Sequence, residues 1–401
     1  VVPYLIHLLR NYYDEIIMYI PADTIRAGAK ALASNLNISL EDAYDNIYKE
    51  LKDFIMRNNV SKLSLEIIDL IISQTLSYDR KLYSSSKLAK RLYSKIWGFG
   101  HFYIFETIRF EKVSKIIDNL RKEDVIGIYS TNETANFLYP VSKIALNTHA
   151  TTFLMMQLPV IYDKLLTLSI SKALVSMLSY KILNDFTKDL LIKIVKHRLL
   201  KVILGVSPSV FLSQKFLSIV KRYGVRLGVP FPANAVDGQV FRFRRVEGKE
   251  PLAVFFARLT PDKGIFELLR AWKIIEDEIP SARLRIMGTF MSERHRAEFF
   301  RLMGKLNLRN VEFLGFVRDR DELYRLVSEA KVLIYPSHAD SYSLVVLEAL
   351  SLGNAVVAYS IPAIRWVYGG LPNVRIVREG DYETLARETI KILRMPEREY
   401  V

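Results

Sequence analysis

Residues 332–359 read VLIYPSHADSYSLVVLEALSLGNAVVAY, and this stretch decides the fold. Two apolar runs of strand length, Val332–Pro336 and Ala355–Tyr359, enclose a helical segment over Leu344–Leu352 that ends at Gly353. Near-continuous apolar runs are typical of parallel strands that are buried on both faces, and glycine is favoured just after a helix. The stretch therefore predicts a strand–helix–strand unit of a doubly wound α/β domain.

The same alternation continues on both sides of this unit. Helical spacing of apolar residues follows Ile265, a second helix is predicted over Asp321–Ala330, and Asp381 can cap a last helix that ends at Leu393. The other predicted strands are Leu252–Ala257, Arg283–Gly288, Val311–Gly315 and Val374–Val377. A ligand of such a domain is expected at the carboxyl ends of its strands.

The N-terminal part has weaker signals, but it also alternates between strands and helices. Strands are predicted at Glu15–Ile20, Val125–Tyr129, Lys143–Asn147 and Val202–Val206. Helices are predicted mainly over residues 40–120, over Lys164–Lys201 and over Ser209–Tyr223. The Pro- and Gly-containing segment Val225–Glu250 is predicted to connect the halves. We therefore expect two α/β domains, residues 1–235 and 236–401.

Composition limits the function classes. The chain has 401 residues, no cysteine and a net charge of +14. Absence of cysteine excludes disulfides, thiolate metal sites and a cysteine nucleophile. The charge leaves nucleic acid, an anionic membrane face, a polyanionic small substrate or a general basic bias open. The longest uncharged run, Ile144–Tyr162, is interrupted by polar residues, so no membrane span is predicted.

Two groups of charged residues lie where a ligand is expected. Arg258 and Lys263 follow a predicted strand and precede a helix start, an arrangement that suits a diphosphate. Asp340 lies in a loop after a strand and Glu348 on the next helix, where carboxylates can accept sugar hydroxyls. Ordinary surface cations and a solvent-exposed acid pair are the alternative interpretations.

Taken together, these motifs resemble the C-terminal domain of retaining GT-B glycosyltransferases of the large family-four type, the glycosyl transferases group 1. The resemblance covers the chain firmly after about Leu200 and loosely before it, and residues 40–120 match no motif of that family. Its further motifs are Leu284–Gly288, Phe313–Val317, Gly353–Ala358, Val206–Pro208, Tyr223–Val225, Pro232–Asp237, Asp124–Ser130 and Ile144–His149.

The resemblance implies an α/β fold of two Rossmann-like doubly wound domains that face a cleft. It implies a metal-independent hexosyltransferase-type enzyme that moves a sugar, with retention, from a nucleotide-sugar donor to a glycan or lipid-linked acceptor. No cofactor is expected, because the nucleotide sugar is a co-substrate. A cytoplasmic protein is expected, with peripheral contact to an anionic membrane through the basic stretch Lys164–Lys201 and no nucleic-acid partner.

The resemblance also implies roles for individual residues. Arg258 and Lys263 would grip the donor diphosphate, Glu348 the ribose hydroxyls and Asp340 the hydroxyls of the transferred sugar. His149 would face the reacting sugar, which makes His149, Arg258, Lys263 and Asp340 the predicted catalytic residues. The other predicted donor-binding residues are Gly288, Phe316, Val317, Ser341, Tyr342, Ser343 and Leu344. No histidine spacing indicates a metal site.

Two departures from the family pattern affect the expected activity. Asp340 stands where the family has glutamate, and Ser341–Ser343 replaces its Gly-aromatic-Gly, so a different loop path is expected because serine tolerates positive φ poorly. The stretch Val1–Ile20 resembles the family's first helix and second strand, which predicts that the first strand lies upstream of Val1. A catalytically weakened sugar-nucleotide or glycan-binding protein is therefore the main alternative. A hydrolase or an epimerase on the same fold also stays open, and a nucleic-acid binder is favoured by charge alone.

Overall fold

The computed structural model describes most of the chain. The described residues are 6, 9–11, 14–20, 22–84, 127–130, 135–156, 189, 191–205, 214–229, 234–290 and 292–396. Contacts divide the chain into two compact units, residues 1–204 with 213–228 and residues 205–212 with 229–401. None of the described helices is long and apolar enough to cross a membrane.

Three helices of the first unit share one hydrophobic core. They are α1 (Ala22–Leu36), α2 (Leu40–Arg57) and α3 (Leu63–Ser84). Their inward faces bury a cluster of apolar side chains, among them Ile25, Ala29, Tyr44, Ile55, Ile67, Ile68 and Ile71. The amphipathic spacing of these residues explains the helices, and the prediction of helix is confirmed for the described residues 40–84.

A buried ion pair joins the three helices. Asp79 of α3 is 1 % exposed and accepts a hydrogen bond from Arg26 Nε of α1 at 2.8 Å. Tyr44 of α2 donates its hydroxyl to the other oxygen of Asp79, also at 2.8 Å. A buried carboxylate is costly unless it is paired and hydrogen-bonded, and these donors supply both the pairing and the hydrogen bonds for Asp79.

The first unit also contains a four-stranded sheet in the order β1-β2-β3-β4. The pairs β1–β2 and β3–β4 are parallel. The elements in chain order are β1 (Gly127–Ser130), α4 (Ala135–Thr148), β2 (Thr151–Met156), β3 (Leu200–Gly205), α5 (Gln214–Arg222) and β4 (Arg226–Gly228).

Two strand predictions for this unit are wrong. Lys143–Asn147 lies inside α4, where Val141 and Ala145 are buried one helical turn apart, and the strand is β2 instead. Glu15–Ile20 forms no sheet ladder. Its backbone bonds the segment that precedes α3, through Ser61 N–H to the Ile16 carbonyl at 2.9 Å.

Other predictions for the N-terminal part are partly testable. The strand β3 and the helix α5 confirm the predictions there within a few residues, and β4 was missed inside the predicted connection. Residues 85–126, 157–188, 190 and 206–213 lie outside the described part. The basic stretch Lys164–Lys201 falls mostly among them, and its last two residues belong to β3.

The second unit has a six-stranded parallel sheet in the order β10-β9-β8-β5-β6-β7. The strand order reverses between β5 and β8, and such a switch point is where ligands bind in doubly wound sheets. The strands are β5 (Glu250–Phe256), β6 (Arg283–Met287), β7 (Val311–Gly315), β8 (Ala330–Tyr335), β9 (Ala355–Tyr359) and β10 (Val374–Val377). All six were predicted from the sequence.

Helices connect these strands, and a short turn of 3-10 helix (Gly238–Phe243) precedes β5. The helices are α6 (Ile265–Glu278), α7 (Glu293–Lys305), α8 (Arg320–Ser328), α9 (Leu344–Ser351), α10 (Pro362–Tyr368) and α11 (Tyr382–Arg394). The predicted cap of α11 is confirmed, because Asp381 accepts a hydrogen bond from Thr384 N–H at 2.9 Å. The helices α7 and α10 were not predicted.

Burial of strands and helix faces holds this unit together. Phe255 of β5 and Trp272 of α6 are fully buried, and each large apolar side chain contributes roughly 1.5–3 kcal/mol on burial. Arg285 of β6 is also buried, where it bonds Glu312 of β7 and Glu329 after α8, each at 2.7 Å. This arginine fixes α8 over the β6–β7 edge.

Gly264 lies at a close approach between the loop after β5 and the loop after β8. Its φ of +72° is left-handed, and a Cβ there would lie 2.0 Å from the Pro336 carbonyl oxygen. We predict that Gly264→Ala lowers the free energy of unfolding by at least ~2 kcal/mol, from left-handed strain plus a backbone clash. Denaturant unfolding measures this loss.

Gly304→Ala is the matched control. Gly304 lies in α7, where an added Cβ meets nothing within 4 Å, so this change should stabilise the helix by about 0.5–1 kcal/mol. Equal effects of the two substitutions would contradict the close contact at Gly264.

Candidate active site

Lys263 lies at the carboxyl end of β5 and is buried. It ends a short turn, Pro261–Lys263, and Gly264 then opens α6. Its Nζ donates to the Asp340 Oδ2 at 2.8 Å and to the Ala339 carbonyl at 2.9 Å. The side chain therefore joins the loop after β5 to the loop after β8, the two strands between which the order reverses.

Asp340 is surrounded by hydrogen-bond donors. Its Oδ1 accepts from the backbone N–H groups of Ser341 at 2.7 Å, Tyr342 at 3.3 Å and Ser343 at 3.1 Å. Its Oδ2 accepts from Lys263 and from the Tyr335 hydroxyl, the latter at 2.5 Å. Burial acts to raise the pKa of Asp340, but the charge of Lys263 and these hydrogen bonds outweigh it and lower the pKa. The carboxylate thus organises the loop that leads into α9.

Ser343 takes the left-handed conformation that a glycine would supply. Its φ is +64°, and its carbonyl accepts a hydrogen bond from the buried Tyr368 hydroxyl at 3.0 Å. A residue with a Cβ in this conformation carries strain of roughly 1–2 kcal/mol. Serine therefore adopts at this position the positive φ that the sequence made unfavourable, and the loop carries the strain.

Glu348 occupies the second turn of α9 and is bound by Arg320. Arg320 Nη2 donates to the Glu348 Oε1 at 2.9 Å and to the Tyr324 hydroxyl at 2.7 Å. Burial raises the pKa of Glu348, and the Arg320 charge opposes that rise in part. Arg320 begins α8, just after the loop that carries Phe316 and Val317, so this contact brings the β7–α8 loop to α9.

The other predicted donor-binding residues lie along the same edge. Arg258 is exposed at the end of β5, and its guanidinium makes no hydrogen bond or ion pair within the described part of the chain. Gly288 directly follows β6, and a Cβ there would lie 1.9 Å from the Ala257 carbonyl oxygen. Phe316 is 57 % exposed and Leu344 is also exposed, whereas Val317 packs on the core.

His149 does not lie where the sequence predicted a strand end. It follows α4 with a φ of +59°, and its N–H donates to the Ala145 carbonyl at 2.8 Å, as in a left-handed helix stop. It precedes β2, so it lies at the amino edge of its sheet, opposite to the edge where ligands of such sheets bind. This placement favours a structural role over the predicted catalytic one.

Some residues of the site were missed by sequence reasoning. Tyr335 bonds Asp340, Tyr368 bonds the Ser343 carbonyl and Arg320 bonds Glu348. Tyr324 in turn accepts a hydrogen bond from Arg320. Tyr335 and Tyr368 have the spacing of core residues, and Arg320 stands at an unremarkable helix start. Among the described residues, no group of three His, Asp or Glu side chains could hold a metal ion.

A family model described as glycosyl transferases group 1 matches residues 239–400 of this chain. The match confirms the resemblance that the motifs indicated. An uncharacterized glycosyltransferase, MJ1607 of Methanocaldococcus jannaschii, is 34 % identical over 158 residues, which are 36 % of this chain and 39 % of that protein.

A second relative is the capsular polysaccharide biosynthesis glycosyltransferase CapM of Staphylococcus aureus. It is 28 % identical over 174 residues, 43 % of this chain and 44 % of that protein. The matched stretch thus spans about two fifths of the length of these curated relatives.

Solved structures show the same fold over a larger share of the chain. The UDP-forming trehalose-phosphate synthase of Burkholderia xenovorans superposes with a TM-score of 0.57 at 14 % identity, covering 75 % of this chain and 72 % of that one. Anabaena Alr3699/HepE in complex with UDP and glucose gives 0.53 at 16 % identity, covering 72 % and 73 %. The predicted α/β GT-B fold class is confirmed.

Ser343 gives a direct test of the strained loop. We predict that Ser343→Gly raises the free energy of unfolding by about 0.5–1 kcal/mol, because relief of left-handed strain exceeds the extra entropy of the unfolded chain. Ser343→Ala is the control, since it keeps the Cβ and removes only a buried hydroxyl for which the described residues offer no partner. If Ser343→Ala stabilises the protein as much as Ser343→Gly does, the destabilisation comes from the buried hydroxyl and not from the left-handed backbone.

His338 gives a pH-dependent test of the neighbouring loops. Its Nε2 lies 4.0 Å from Glu267 and its Nδ1 lies 3.0 Å from Glu379. The attraction of these two carboxylates, of Glu267 first, outweighs the effect of burial and raises the pKa of His338. The resulting stability is present below the unfolded pKa of about 6.5 and is lost as pH rises through the higher folded pKa. We predict that the melting temperature falls more steeply between pH 6 and 9 in the wild type than in His338→Gln. Parallel curves would contradict this.

Proposed function

We propose that this chain transfers a sugar from a nucleotide-sugar donor to a hydroxyl of a glycan or lipid-linked acceptor. The observation that carries the proposal is the position of Lys263 and Asp340 in the loops after β5 and β8, at the switch point of the C-terminal sheet. Two similarities support it: the match of residues 239–400 to the glycosyl transferases group 1 model, and the likeness to the capsular polysaccharide biosynthesis glycosyltransferase CapM. We assign donor binding to residues 236–401 and acceptor binding to residues 1–235.

Arg258 is the residue best placed to bind the donor diphosphate. It is exposed, and its charge is unpaired within the described residues, whereas the charge of Lys263 is already paired with Asp340. Asp340 already accepts hydrogen bonds from the backbone N–H groups of Ser341, Tyr342 and Ser343. A bound anion would therefore contact the next backbone N–H groups, at the start of α9. Phe316 offers an exposed ring on the β7–α8 loop for the base.

The reaction we propose breaks the bond between the anomeric carbon and the diphosphate and forms one to an acceptor oxygen on the same face. The acceptor proton passes to the leaving phosphate oxygen, so a protein base is not needed. Arg258, Lys263 and the helix N-terminus stabilise the departing charge, and we propose that these groups act without a metal ion. Turnover in excess EDTA tests that part. Peripheral membrane contact stays a prediction.

Arg258 gives the sharpest mutational test of the proposal. We predict that Arg258→Ala lowers sugar transfer or donor hydrolysis by roughly a hundredfold, the size expected when one group that stabilises developing charge is removed. Its melting temperature should not change, since the described structure gives this side chain no bonds to lose. The assay follows release of nucleoside diphosphate from a panel of nucleotide sugars.

Arg375→Ala is the matched control for this test, because Arg375 is an exposed arginine on β10. Equal activity of both variants would remove Arg258 from the donor site. Lys263→Ala is less informative, because it leaves the partly buried Asp340 without its cation, and breaking such a pair destabilises the fold.

A second candidate is a sugar-nucleotide-binding protein without turnover. The observation that favours it is the set of five donors on Asp340, which leaves that carboxylate little capacity to accept hydroxyls of a transferred sugar. Donor hydrolysis separates the two functions, because an active site releases some sugar to water whereas a binding protein releases none. Calorimetric binding of a nucleotide sugar without any release would establish the second function.

A further inference from the structure

Glu348 is a carboxylate with one oxygen already bound. Its side chain is 12 % exposed, and Arg320 donates to its Oε1 at 2.9 Å. Burial raises the pKa of Glu348, and Arg320 is the charged group that opposes this rise. A buried glutamate without a cation loses its charge as pH falls toward its raised pKa. The state of this carboxylate therefore depends on Arg320.

Arg320 is itself held in place although its side chain is 64 % exposed. The guanidinium lies 5.2 Å from the centroid of the Tyr324 ring and donates to the Tyr324 hydroxyl at 2.7 Å. Tyr324 is buried, and its ring packs 6.0 Å from that of Phe243. A long exposed side chain normally loses conformational freedom when it forms an ion pair, and these contacts reduce that loss.

Among the described residues, no other titratable group near α9 bonds Glu348. The neighbouring elements carry Asp237 and Arg242 before β5, Lys331 and Tyr335 on β8, and Tyr359 on β9. The charge of Asp237 helps to raise the pKa of Tyr324. Lys331 donates to the carbonyls of Leu393 and Met395, and Tyr335 donates to Asp340. Tyr359 is buried beside His338, and Arg242 is exposed.

We propose that Arg320 is a positioning residue for donor binding, which holds Oε1 of Glu348 and keeps the carboxylate charged so that Oε2 can accept the ribose hydroxyls of a nucleotide. The proposal rests on the proposed function. An ionised carboxylate accepts hydroxyl hydrogen bonds at both oxygens, whereas the protonated form spends one oxygen as a donor. Charge-assisted bonds are also the stronger ones. Arg320 thus acts on the nucleotide through Glu348.

Nucleotide binding against pH tests this role. UDP binding to the full chain is measured by calorimetry between pH 5.5 and 8.5 for the wild type, Arg320→Gln and Arg320→Lys. The wild type should bind with nearly constant affinity above pH 6. Arg320→Gln should bind about tenfold more weakly at pH 6, since each unit of pKa is a factor of ten, and should recover as pH rises. Arg320→Lys should largely keep the wild-type profile.

A merely structural role gives a different result. If Arg320→Gln weakens UDP binding by the same factor at every pH, or leaves it unchanged, the proposal is overturned. Glu348→Gln is the companion variant, and its weakened binding should show no pH dependence. Melting temperatures of all variants confirm that they are folded at the pH of each titration.

A measurement without nucleotide separates failure of this proposal from failure of the proposed function. The δ-carbon of Glu348 is titrated by NMR in chain labelled at glutamate, and Glu348→Gln assigns the signal. The midpoint should lie at least one pH unit higher in Arg320→Gln than in the wild type, and equal midpoints would overturn the role of Arg320. If wild type binds neither UDP, ADP nor GDP, the proposed function and the ribose contact fail, whatever the midpoints are.

Discussion

The ion pair between Lys263 and Asp340 is the contact on which the ligand-binding edge of the C-terminal unit depends. It joins the two loops that flank the switch point, and the His338 N–H of the second loop also donates to the Asp262 carbonyl of the first at 2.8 Å. The carboxylate also gathers three backbone N–H groups that would otherwise point into a partly buried loop. Loss of either partner would leave several polar groups unsatisfied at once.

The ion pairs at this edge determine which charged side chains remain available to a ligand. Lys263 is neutralised by Asp340, and Glu348 is bound by Arg320, so both predicted acids are already part of an internal network. Arg258 stands apart because its charge is unpaired within the described residues. A diphosphate that arrives here would meet one available guanidinium and the positive end of a helix, and the ordered network behind them would supply rigidity.

Sequence reasoning succeeded where one local pattern determined the structure. The apolar runs at Leu252–Ala257 and Ala355–Tyr359 alternate with clear helical segments, and this alternation identified them as buried strands of a covered sheet. The helical pattern of Leu344–Leu352 likewise identified α9 and the loop before it. It failed at Lys143–Asn147, because a short apolar run fits a strand or a buried helix turn equally well.

The partners of the site residues could not be predicted, for a different reason. Tyr335 and Arg320 act through contacts with side chains that are brought near only by the folded sheet, and neither residue differs in sequence from an ordinary core or surface position. The saturation of Asp340 is likewise a three-dimensional property. It depends on a backbone turn at Ser343 that serine does not favour.

The separate core of α1, α2 and α3 has a consequence for how this chain can diverge. None of its buried side chains belongs to the hydrophobic core of the C-terminal unit, which supports the loops after β5 and β8. The helical core also has its own buried salt bridge, between Arg26 and Asp79. Substitutions inside the helical layer are therefore expected to add to those in the sheet without coupling. Selection could remodel the helices for a new task while the loops after β5 and β8 are inherited intact.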